Sequence, residues 1–373
     1  MKKLKVLHYI SGISPTIGGI EKFILNFYEA QKNNVEIEIL TRYCDKSTMM
    51  FKMIQKEGIK IHSMNVHHLT LKTMSMFKRN LDQFFSEYGK KFDILHIHFV
   101  EDPFVARIAK KNGIDTIVTH VHSFRIKSNI IADWVKRLCI NKNSRCANVR
   151  LACSFDVGNR VYPPKYKSEI KVVSNGINAK DFRFDKIRRM EYRRKLNLND
   201  SFVVCSVGRL EDIKNHEFLI DIFANIEKKH GNSRLLIVGN GSLREWLYEK
   251  CIQYGIEEKV YFLGDREDVN CILQAADTFV LTSKSEGFGI VLIEAQAAGL
   301  KVFASDKVIP RAVKITGLLK FIDLEETADK WAEYILKGAL EYNRVDKYKE
   351  IICAGFDNGQ TSRNLMTIYE RRM

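Results

Sequence analysis

The sequence predicts an α/β protein in which two doubly wound parallel sheets follow one another along the chain. Apolar runs bounded by turns alternate with amphipathic stretches over most of the 373 residues, which is the pattern of parallel strands covered by helices. The length suits two domains better than one or three, and 45% apolar side chains are enough to fill two cores.

The first half of the chain carries the first series of strands and helices. Its strands are short runs rich in Val, Ile and Leu, as expected of strands buried on both faces. Helices are predicted where apolar residues recur at a spacing of three and four. The predicted strands are residues 4–10, 35–41, 59–64, 94–97, 116–120 and 149–153, and the predicted helices are residues 20–31, 72–88, 103–111 and 130–141.

A second series of the same kind follows and predicts the second sheet. Its strands are residues 202–207, 234–238, 260–263, 278–281 and 301–304, and its helices are residues 217–229, 243–254, 269–275 and 290–298. Because ligands of such sheets bind outside the carboxyl ends of the strands, two facing sheets would form an interdomain cleft.

The boundary between the two domains is predicted between residues 174 and 200. Asn175-Gly176 is a turn signal, and Lys186–Lys195 is so basic that we expect a solvated stretch there. We therefore expect a first domain over residues 1–180 and a second over residues 181–357. A last helix within residues 358–373, strongest at 361–370, is expected to pack back on the first domain.

A formal net charge of +15 favours anionic partners, namely nucleic acid, phospholipid headgroups or phosphorylated substrates. Nucleic acid is the weaker option, because aromatic residues do not alternate with the basic ones and no helix-turn-helix pattern occurs. A lysine-rich surface that serves only solubility is the alternative.

The eight cysteines are scattered without a Cys-x-x-Cys pair, so we expect reduced core residues rather than a disulfide framework or a zinc site. No run of 18 apolar residues occurs, and the lysine-containing start is too short and strand-like for a signal peptide. The expected location is the cytoplasm.

The most informative segment is residues 283–299, which follows a predicted strand and opens a predicted helix. Gly287 and Gly289 would let the backbone approach a ligand, and the amides at the helix start would attract an anion such as a diphosphate. Glu286 and Glu294 have seven residues between them. Glu294 falls in an apolar helix, where a carboxylate needs hydrogen-bond donors such as a ribose diol. A structural pairing of Glu294 with a lysine or a backbone cap is the alternative.

A second segment, from Gly208 to Lys214, also joins a strand to a helix. Arg209 and Lys214 would neutralise a diphosphate leaving group, Arg209 as a fork and Lys214 as a point charge. No Asp-x-Asp triplet occurs to carry Mg²⁺, so we expect no metal and no cofactor. Surface exposure is the alternative for either cation taken alone.

Glycine and histidine add two weaker signals. Gly18 and Gly19 lie in the loop between the first predicted strand and the first predicted helix, but Gly239-Asn-Gly241 is followed by Arg244 where a third glycine of a dinucleotide site would stand. Four histidines lie near the carboxyl ends of two predicted strands. They are His96, His98, His120 and His122. Alternating His-x-His pairs could supply zinc ligands, although satisfied core histidines are the commoner case.

The segment from Glu286 to Glu294 resembles the Glu-x7-Glu motif of the retaining glycosyltransferases of family 4, which have the GT-B fold. The Gly-Arg-Leu…Lys pattern at Arg209 and Lys214, the Gly-Gly loop and the Asp-x-x-His-x-His strand that ends at His98 are similar to that family as well. The likeness covers nearly the whole chain. Two departures are Asn215, where glycine is common, and Asn178, where aspartate is common. Residues 294–300 and 305–307 resemble the branch that builds exopolysaccharides.

The resemblance implies roles for individual residues. The first glutamate, Glu286, would contact the transferred sugar, the second, Glu294, would contact the ribose, and His122 would be the site histidine, with His120 as the alternative. His98 and His120 would lie on the acceptor side. The donor site would comprise Gly18, Gly19, Arg209, Lys214, Gly239, Glu286, Gly287, Phe288, Gly289, Ile290, Val291 and Glu294.

The implied activity is transfer of a hexose or N-acetylhexosamine from a nucleotide diphosphate sugar, most simply a UDP-sugar, to a glycan or lipid-linked hydroxyl with retention of configuration. The basic charge adds the hypothesis of a peripheral position on the inner face of an anionic membrane. Two alternatives stay open, a nucleotide-sugar epimerase of the same fold and a non-catalytic sugar-nucleotide-binding subunit.

Overall fold

The chain folds into two units, each built on one parallel sheet. The structure is a computed structural model that describes residues 3–13, 18–122 and 130–371, with the backbone alone for residues 130–132. The first unit comprises Met1–Gly176 and Asn358–Met373, and the second comprises Ile177–Asp357. The α/β class predicted from the alternation of strands and helices is confirmed.

The first unit contains a seven-stranded sheet. Its strands are β1 Leu4–Gly12, β2 Val35–Tyr43, β3 Lys60–Ser63, β4 Ile94–Ile97, β5 Thr116–Val121, β6 Val149–Ala152 and β7 Ile170–Val172. Its helices begin with α1 Gly19–Gln31, α2 Met49–Lys56, α3 Leu71–Tyr88, α4 Val105–Lys111, α5 Ile130–Cys146 and α6 Phe155–Val161. The strand order is β3-β2-β1-β4-β5-β6-β7, and the strands pair in parallel. The order reverses between β1 and β4, so the carboxyl ends of these strands are where a ligand is expected.

Several helices of this unit begin where a hydroxyl side chain caps the first turn. Thr48 Oγ1 accepts from the amide of Phe51, and Ser154 Oγ accepts from the amide of Val157. α4 begins at Val105, two residues after the predicted start, because Phe104 has a left-handed backbone with φ of 72°. Each hydroxyl cap, at Thr48 and at Ser154, stabilises its helix by about 1 kcal/mol.

The second unit contains a six-stranded sheet in the order β10-β9-β8-β11-β12-β13. Its strands are β8 Phe202–Val207, β9 Ser233–Val238, β10 Val260–Gly264, β11 Thr278–Leu281, β12 Lys301–Ser305 and β13 Leu319–Ile322. Its helices are α7 Ala179–Phe182, α8 Lys186–Lys195, α9 His216–Lys229, α10 Arg244–Gln253, α11 Val269–Ala275, α12 Ile290–Ala297, α13 Ala328–Ala339 and α14 Tyr348–Cys353. Trp331 of α13 is fully buried in the core of this unit.

The last helix, α15 Asn358–Glu370, belongs to the first unit. Leu365 and Tyr369 are fully buried in the core that α1 also lines, and the Tyr369 ring meets Phe27 edge to face with centroids 5.7 Å apart. Asn358 Nδ2 donates to the carbonyl of Asn26 over 2.8 Å. Apolar burial thus fastens the carboxyl-terminal segment to the first helix of the chain.

The stretch Lys186–Lys195, predicted to be basic and solvated, has no buried residue, and it forms helix α8, which was not predicted. Asp185 caps the helix by accepting from the amides of Ile187 and Arg188. Arg189 and Arg193 both reach Asp277 and donate to carbonyls at the end of α11. The net charge of the stretch did not indicate that two of its arginines form ion pairs with Asp277 of the same unit.

Most of the elements that were not predicted are short, and the exception is the 12-residue amphipathic helix α13. The edge strands β7 and β13 and the helices α2, α6, α7, α13 and α14 were not predicted. The eight cysteines are free thiols, and three of them are buried as expected of core residues, namely Cys153, Cys205 and Cys251. The others are half-buried, apart from Cys353, which is exposed. Of the helices in the described part of the chain, none is long and apolar enough to cross a membrane.

Candidate functional site

Two loops of the second unit meet because their strands are neighbours in the sheet. β8 and β11 pair in parallel, so the segments that follow them, Gly208–Lys214 and Ser283–Gly289, leave the same edge. Lys284 donates its amide to the carbonyl of Ile213 over 2.9 Å, and Thr282 Oγ1 donates to the carbonyl of Asn215 over 2.9 Å. The backbone therefore holds the two predicted motifs against each other.

An ion pair joins two of the predicted site residues. Lys214 Nζ donates to Glu286 Oε1 over 2.5 Å, and Ser283 Oγ donates to the same oxygen over 2.6 Å. The side chains of Lys214 and Glu286 are 18% and 8% exposed. Solvent screens such a pair far less than it screens a surface pair, so the charges fix each other's position at the sheet edge.

Arg209 differs from Lys214 in having no partner among the residues that the structure describes. Its side chain is half-buried, and no hydrogen bond or ion pair involves its guanidinium within the described ranges. A guanidinium retains five donors that suit the oxygens of a phosphate. Arg209 is therefore a cation available to an incoming anion.

The glycines beside these cations are required by close packing of the chain. A Cβ on Gly239, whose φ is +125°, would lie 2.2 Å from the carbonyl oxygen of Gly208, and one on Gly241 would lie 2.4 Å from that of Leu210. Packing alone explains both glycines, and a contact of Gly239 with the donor stays a prediction.

Helix α12 begins directly after the second loop. Gly289 has a φ of +81° and precedes the first helical residue, Ile290, and no side chain caps the first turn. Phe288 and Val291 are buried, while Gly287 and Ile290 are half-exposed. Amides at an uncapped helix start favour an anion.

Glu294 lies one turn into α12 and is 3% exposed. It is surrounded by apolar neighbours on the helix, as the sequence predicts, and Glu286 sits in the preceding loop. The structure thus places one carboxylate of the motif at the loop and the other inside the helix. A ribose contact of Glu294 stays a prediction.

The predicted histidines of the first unit form one buried cluster with a fifth member, His8. Residues His8 and His96 are paired across β1 and β4, and His96 is paired with Val118 of β5. Alternate residues of a strand face the same side, so four of the rings meet Phe23 of α1 and the fifth, His8, meets Phe27 of the same helix. The cluster comprises His8, His96, His98, His120 and His122.

Three of these rings form a hydrogen-bonded chain that ends at an amide. His122 Nδ1 donates to Asn175 Oδ1 over 3.0 Å, His98 Nδ1 lies 2.8 Å from His122 Nε2, and His8 Nδ1 lies 2.8 Å from His98 Nε2. With the Asn175 oxygen as acceptor, each neutral ring carries its proton on Nδ1. Both ring nitrogens of His122 are thus engaged within the unit.

The other two rings have separate partners. His96 Nδ1 lies 2.5 Å from the Tyr369 hydroxyl, and His120 Nε2 donates to the carbonyl of Val173 over 3.2 Å. Burial lowers the pKa of His8 to about 3 and that of His122 to about 4, and it lowers the pKa values of His96, His98 and His120 well below 6.5. The cluster is therefore neutral at physiological pH.

A metal ion is conceivable at two places in the cluster. Ring nitrogens of His8, His96 and His98, and likewise those of His98, His120 and His122, lie within 4.8 Å of one another. Three neutral imidazoles are a ligand set that zinc accepts, but His8, His98 and His122 already use ring nitrogens in the hydrogen-bonded chain. A metal ion would have to break that chain, and its absence stays a prediction.

The predicted glycine loop of the first unit is described only in part. Residues 14–17 lie outside the described residues, as does Ser123 beside the histidines. A Cβ on Gly18 would lie 2.1 Å from Glu21 Oε2, whereas a Cβ on Gly19 would meet nothing within 4 Å. A Cβ at Gly18 would therefore require the Glu21 side chain to move, and contacts of Gly18 and Gly19 with the donor stay predictions.

Sequence reasoning missed a second polar cluster at the same end of the sheet. The Tyr9 hydroxyl donates to Asp102 Oδ2 over 2.5 Å, and Arg42 Nε lies 2.9 Å from the same oxygen. Burial raises the pKa of Asp102 to about 6. The adjacency of β1 and β4 in a doubly wound sheet was the signal that could have found both His8 and Tyr9.

Family models match both halves of the chain. The model "Glycosyltransferase Family 4" matches residues 17–181, and "Glycosyl transferases group 1" matches residues 188–352. The candidate glycosyltransferase EpsF of Bacillus subtilis (strain 168) is 26% identical over 98% of this chain and 96% of its own length. The UDP-Gal:alpha-D-GlcNAc-diphosphoundecaprenol alpha-1,3-galactosyltransferase of Escherichia coli is 28% identical over 58% of each chain.

Solved structures share the fold at lower identity. The crystal structure of HepE from Anabaena in complex with UDP matches with a TM-score of 0.76 and 18% identity, covering 99% of this chain and 100% of that one.

Proposed function

This chain is a glycosyltransferase of family 4 with the GT-B fold, and we propose that it moves a hexose or N-acetylhexosamine from a UDP-sugar to a hydroxyl of a glycan or lipid-linked acceptor. The donor is inferred from the E. coli relative, whose name specifies UDP-Gal, and from the UDP bound to HepE. The single observation that carries the proposal is the meeting of Arg209, the Lys214–Glu286 pair and an uncapped helix start at one sheet edge.

The leaving diphosphate would be neutralised by protein groups alone. Arg209 has a guanidinium without a partner in the described chain, and Lys214 lies beside it in the same loop. The amides at the start of α12 add fixed dipoles. We therefore propose that transfer requires no divalent metal.

The Lys214–Glu286 pair would be exchanged when the donor binds. A diphosphate would attract Lys214, and the hydroxyls of the transferred sugar would donate to the Glu286 carboxylate that Lys214 releases. Both groups are already held by Ser283 and by the loop backbone. Little reorganisation is then needed at the moment of reaction, which is the basis of electrostatic catalysis.

The proposed reaction retains the anomeric configuration. The transition state would be an oxocarbenium-like sugar beside the departing phosphate, whose oxygen takes the proton of the attacking hydroxyl on the same face. No protein base is needed in that scheme. For His122 we propose contact with the donor sugar, which requires it to exchange one of its two present hydrogen bonds. Glu294 would receive the ribose diol, and His98 and His120 would serve the acceptor side.

The acceptor is proposed to be lipid-linked and part of cell-surface polysaccharide synthesis. The E. coli relative is named for a diphosphoundecaprenol-linked acceptor, and the net charge of +15 suits a diphosphate substrate on an anionic surface. A peripheral position on the inner face of the membrane follows from that acceptor.

Product analysis tests the proposal directly. The purified chain is incubated with a panel of UDP-hexoses and UDP-N-acetylhexosamines, diphosphate-linked sugars as acceptors and EDTA, and the product anomer is identified by NMR. We expect a glycoside with the donor's configuration, without added metal. Free altered sugar in the absence of acceptor would instead identify an epimerase, and loss of activity in EDTA would refute metal independence.

A further inference from the structure

Helix α5 in the first unit exposes large apolar side chains on one face. Trp134 is 62% exposed, Val135 46% and Leu138 38%. The opposite face, with Ile140, Asn143 and Ser144, is buried. A Trp and two aliphatic side chains left in water cost free energy that a partner surface would recover.

The same exposed face turns basic toward its carboxyl end. Lys142 and Arg145 are exposed and form no ion pair with other described residues. They follow Trp134 and Leu138 at positions that lie on one side of a helix, namely i, i+4, i+8 and i+11. The face therefore has an apolar first half and a cationic second half. From Trp134 to Arg145 it extends about 16 Å along the helix axis.

Helix α10 in the second unit exposes a similar apolar set in a different electrostatic setting. Trp246 is 44% exposed, Tyr248 45% and Ile252 51%. Its neighbouring cation, Lys250, is neutralised by Glu217 and Asp221. An anionic surface would attract α5 and gain nothing from α10.

Helix α8 offers a third exposed face. Ile187 is 74% exposed and Met190 58%, but the exposed Glu191 lies on the same side as Ile187 and places negative charge within the stripe. The α8 face also lacks an aromatic residue of the kind that prefers the headgroup region of a bilayer. Exposed Arg194 lies on the same side of α8 as well, so that face carries both signs of charge, and Trp134 with an uninterrupted cationic half favours α5.

We propose that the α5 face, defined by Trp134, Val135, Leu138, Lys142 and Arg145, docks on an anionic phospholipid bilayer. Trp134, Val135 and Leu138 enter the headgroup boundary, and Lys142 and Arg145 bind lipid phosphates. The purpose of docking, access to a lipid-linked acceptor, rests on the proposed function, but the binding itself does not.

Vesicle co-sedimentation tests the docking face without donor or acceptor. The full chain is mixed with vesicles of equal parts phosphatidylglycerol and phosphatidylcholine, and with vesicles of phosphatidylcholine alone. We expect partition into the anionic vesicles that weakens with added salt. Trp134→Ala with Leu138→Ala, and separately Lys142→Glu with Arg145→Glu, should each lower the partition coefficient about tenfold or more, since each basic residue and each buried apolar group contributes about a factor of five.

Matched variants decide between the surfaces. Trp246→Ala with Ile252→Ala removes similar apolar area from α10 and should leave partition unchanged. Ile187→Ala with Met190→Ala should have little effect, and a tenfold loss there with none at α5 would overturn the assignment. Wild-type partition by both α5 variants would overturn it too, as would equal binding to both vesicle types.

Two controls separate this inference from the proposed function. Circular dichroism and UDP binding should be the same for wild type and the α5 variants, which shows that any loss of partition is not unfolding. Transfer to a water-soluble acceptor should also be unchanged in the α5 variants. A chain that binds vesicles but transfers no sugar would refute the activity and leave the docking face standing.

Discussion

Lys214 and Glu286 form an ion pair across 72 positions of sequence, with Nζ 2.5 Å from Oε1. The pair joins the loop after β8 to the loop before α12, and it unites a cation expected to meet phosphate with a carboxylate expected to meet sugar. In the absence of a ligand each holds the other in place. In the proposed reaction a bound donor would replace this internal contact with two contacts of its own, and the pair would thereby couple the binding of sugar and phosphate.

A double-mutant cycle measures that coupling. Lys214→Ala should cost about 2–4 kcal/mol of transition-state stabilisation, comparable to removing one oxyanion donor. Glu286→Ala should have a similar cost, and the double variant should cost less than the sum, because the two groups share one interaction. The measurement is kcat/KM for the donor.

The control for this cycle is the nearby pair of Lys284 and Asp212, whose Nζ and Oδ1 lie 2.6 Å apart but are largely exposed. Lys284→Ala should change kcat/KM by less than about 1 kcal/mol. Strict additivity at Lys214 and Glu286, or an equal loss at Lys284, would contradict the assignment.

Arg209→Ala should lower kcat more than it raises the donor KM. The guanidinium has no internal partner in the described chain, so its removal leaves no buried charge behind and the fold should keep its stability. We expect kcat/KM to fall by an amount equivalent to about 2–4 kcal/mol of transition-state stabilisation. Arg209→Lys should recover part of it, because a point charge replaces the fork of the guanidinium.

Arg244→Ala is the control, since Arg244 is exposed beside Glu245. A thermal shift by UDP equal to that of wild type, together with unchanged turnover, would exclude a role for Arg209.

The sequence predicts elements better than it predicts which elements are neighbours. Arg209, Lys214 and Glu286 stand out because each follows an apolar strand and precedes a helix. Their meeting depends on the pairing of β8 with β11, which local periodicity cannot specify. His8 was missed for the same reason, since it joins the other histidines only through the pairing of β1 with β4.

Other failures have local causes. β7 has three residues and β13 four, with charged side chains inside or beside them, so neither shows a clear alternation. α8 was read from its charge, whereas Arg, Lys, Met and Glu are good helix formers and Asp185 supplies a cap. Propensity and capping outweighed net charge there.

The histidine cluster should make the first unit sensitive to acid. The folded state keeps five imidazoles neutral, with pKa values of about 3 for His8 and about 4 for His122, while the unfolded chain protonates them near pH 6.5. Below pH 6.5 the unfolded state therefore binds more protons than the folded state. The free energy of unfolding is highest above pH 6.5, and each histidine lowers it by about 1.4 kcal/mol per pH unit as the pH falls below that value.

One buried carboxyl opposes this trend. The pKa of Asp102 is raised to about 6, so the folded state binds its proton more tightly and stability from this group increases as the pH falls from 6 toward 3.8. Five histidines outweigh one aspartate, and the net change is destabilising. Urea unfolding measured from pH 7.5 to pH 5 gives the slope of the free energy of unfolding against pH. His8→Gln should reduce this slope by the amount that corresponds to about one bound proton. Stability that stays constant over this range would show that the cluster is charged or solvated.

Asn175→Asp should convert the histidine chain from neutral to chargeable. The amide oxygen of Asn175 accepts from His122 Nδ1 over 3.0 Å, and a carboxylate at that distance would stabilise imidazolium and raise the pKa of His122 by about 1–3 units from its value of about 4. Because the folded state would then bind a proton that it now excludes, the variant should lose less stability than wild type between pH 6.5 and pH 5. Resonances of the His122 ring nitrogens in ¹⁵N-labelled protein report the protonation directly.

Asn175→Ala is the matched control, since it removes the acceptor without adding charge. It should leave the pH slope unchanged while lowering the free energy of unfolding at pH 7.5 by about 1–3 kcal/mol. An unaltered ¹⁵N titration in the aspartate variant would mean that Asn175 does not set the proton position in this chain of histidines.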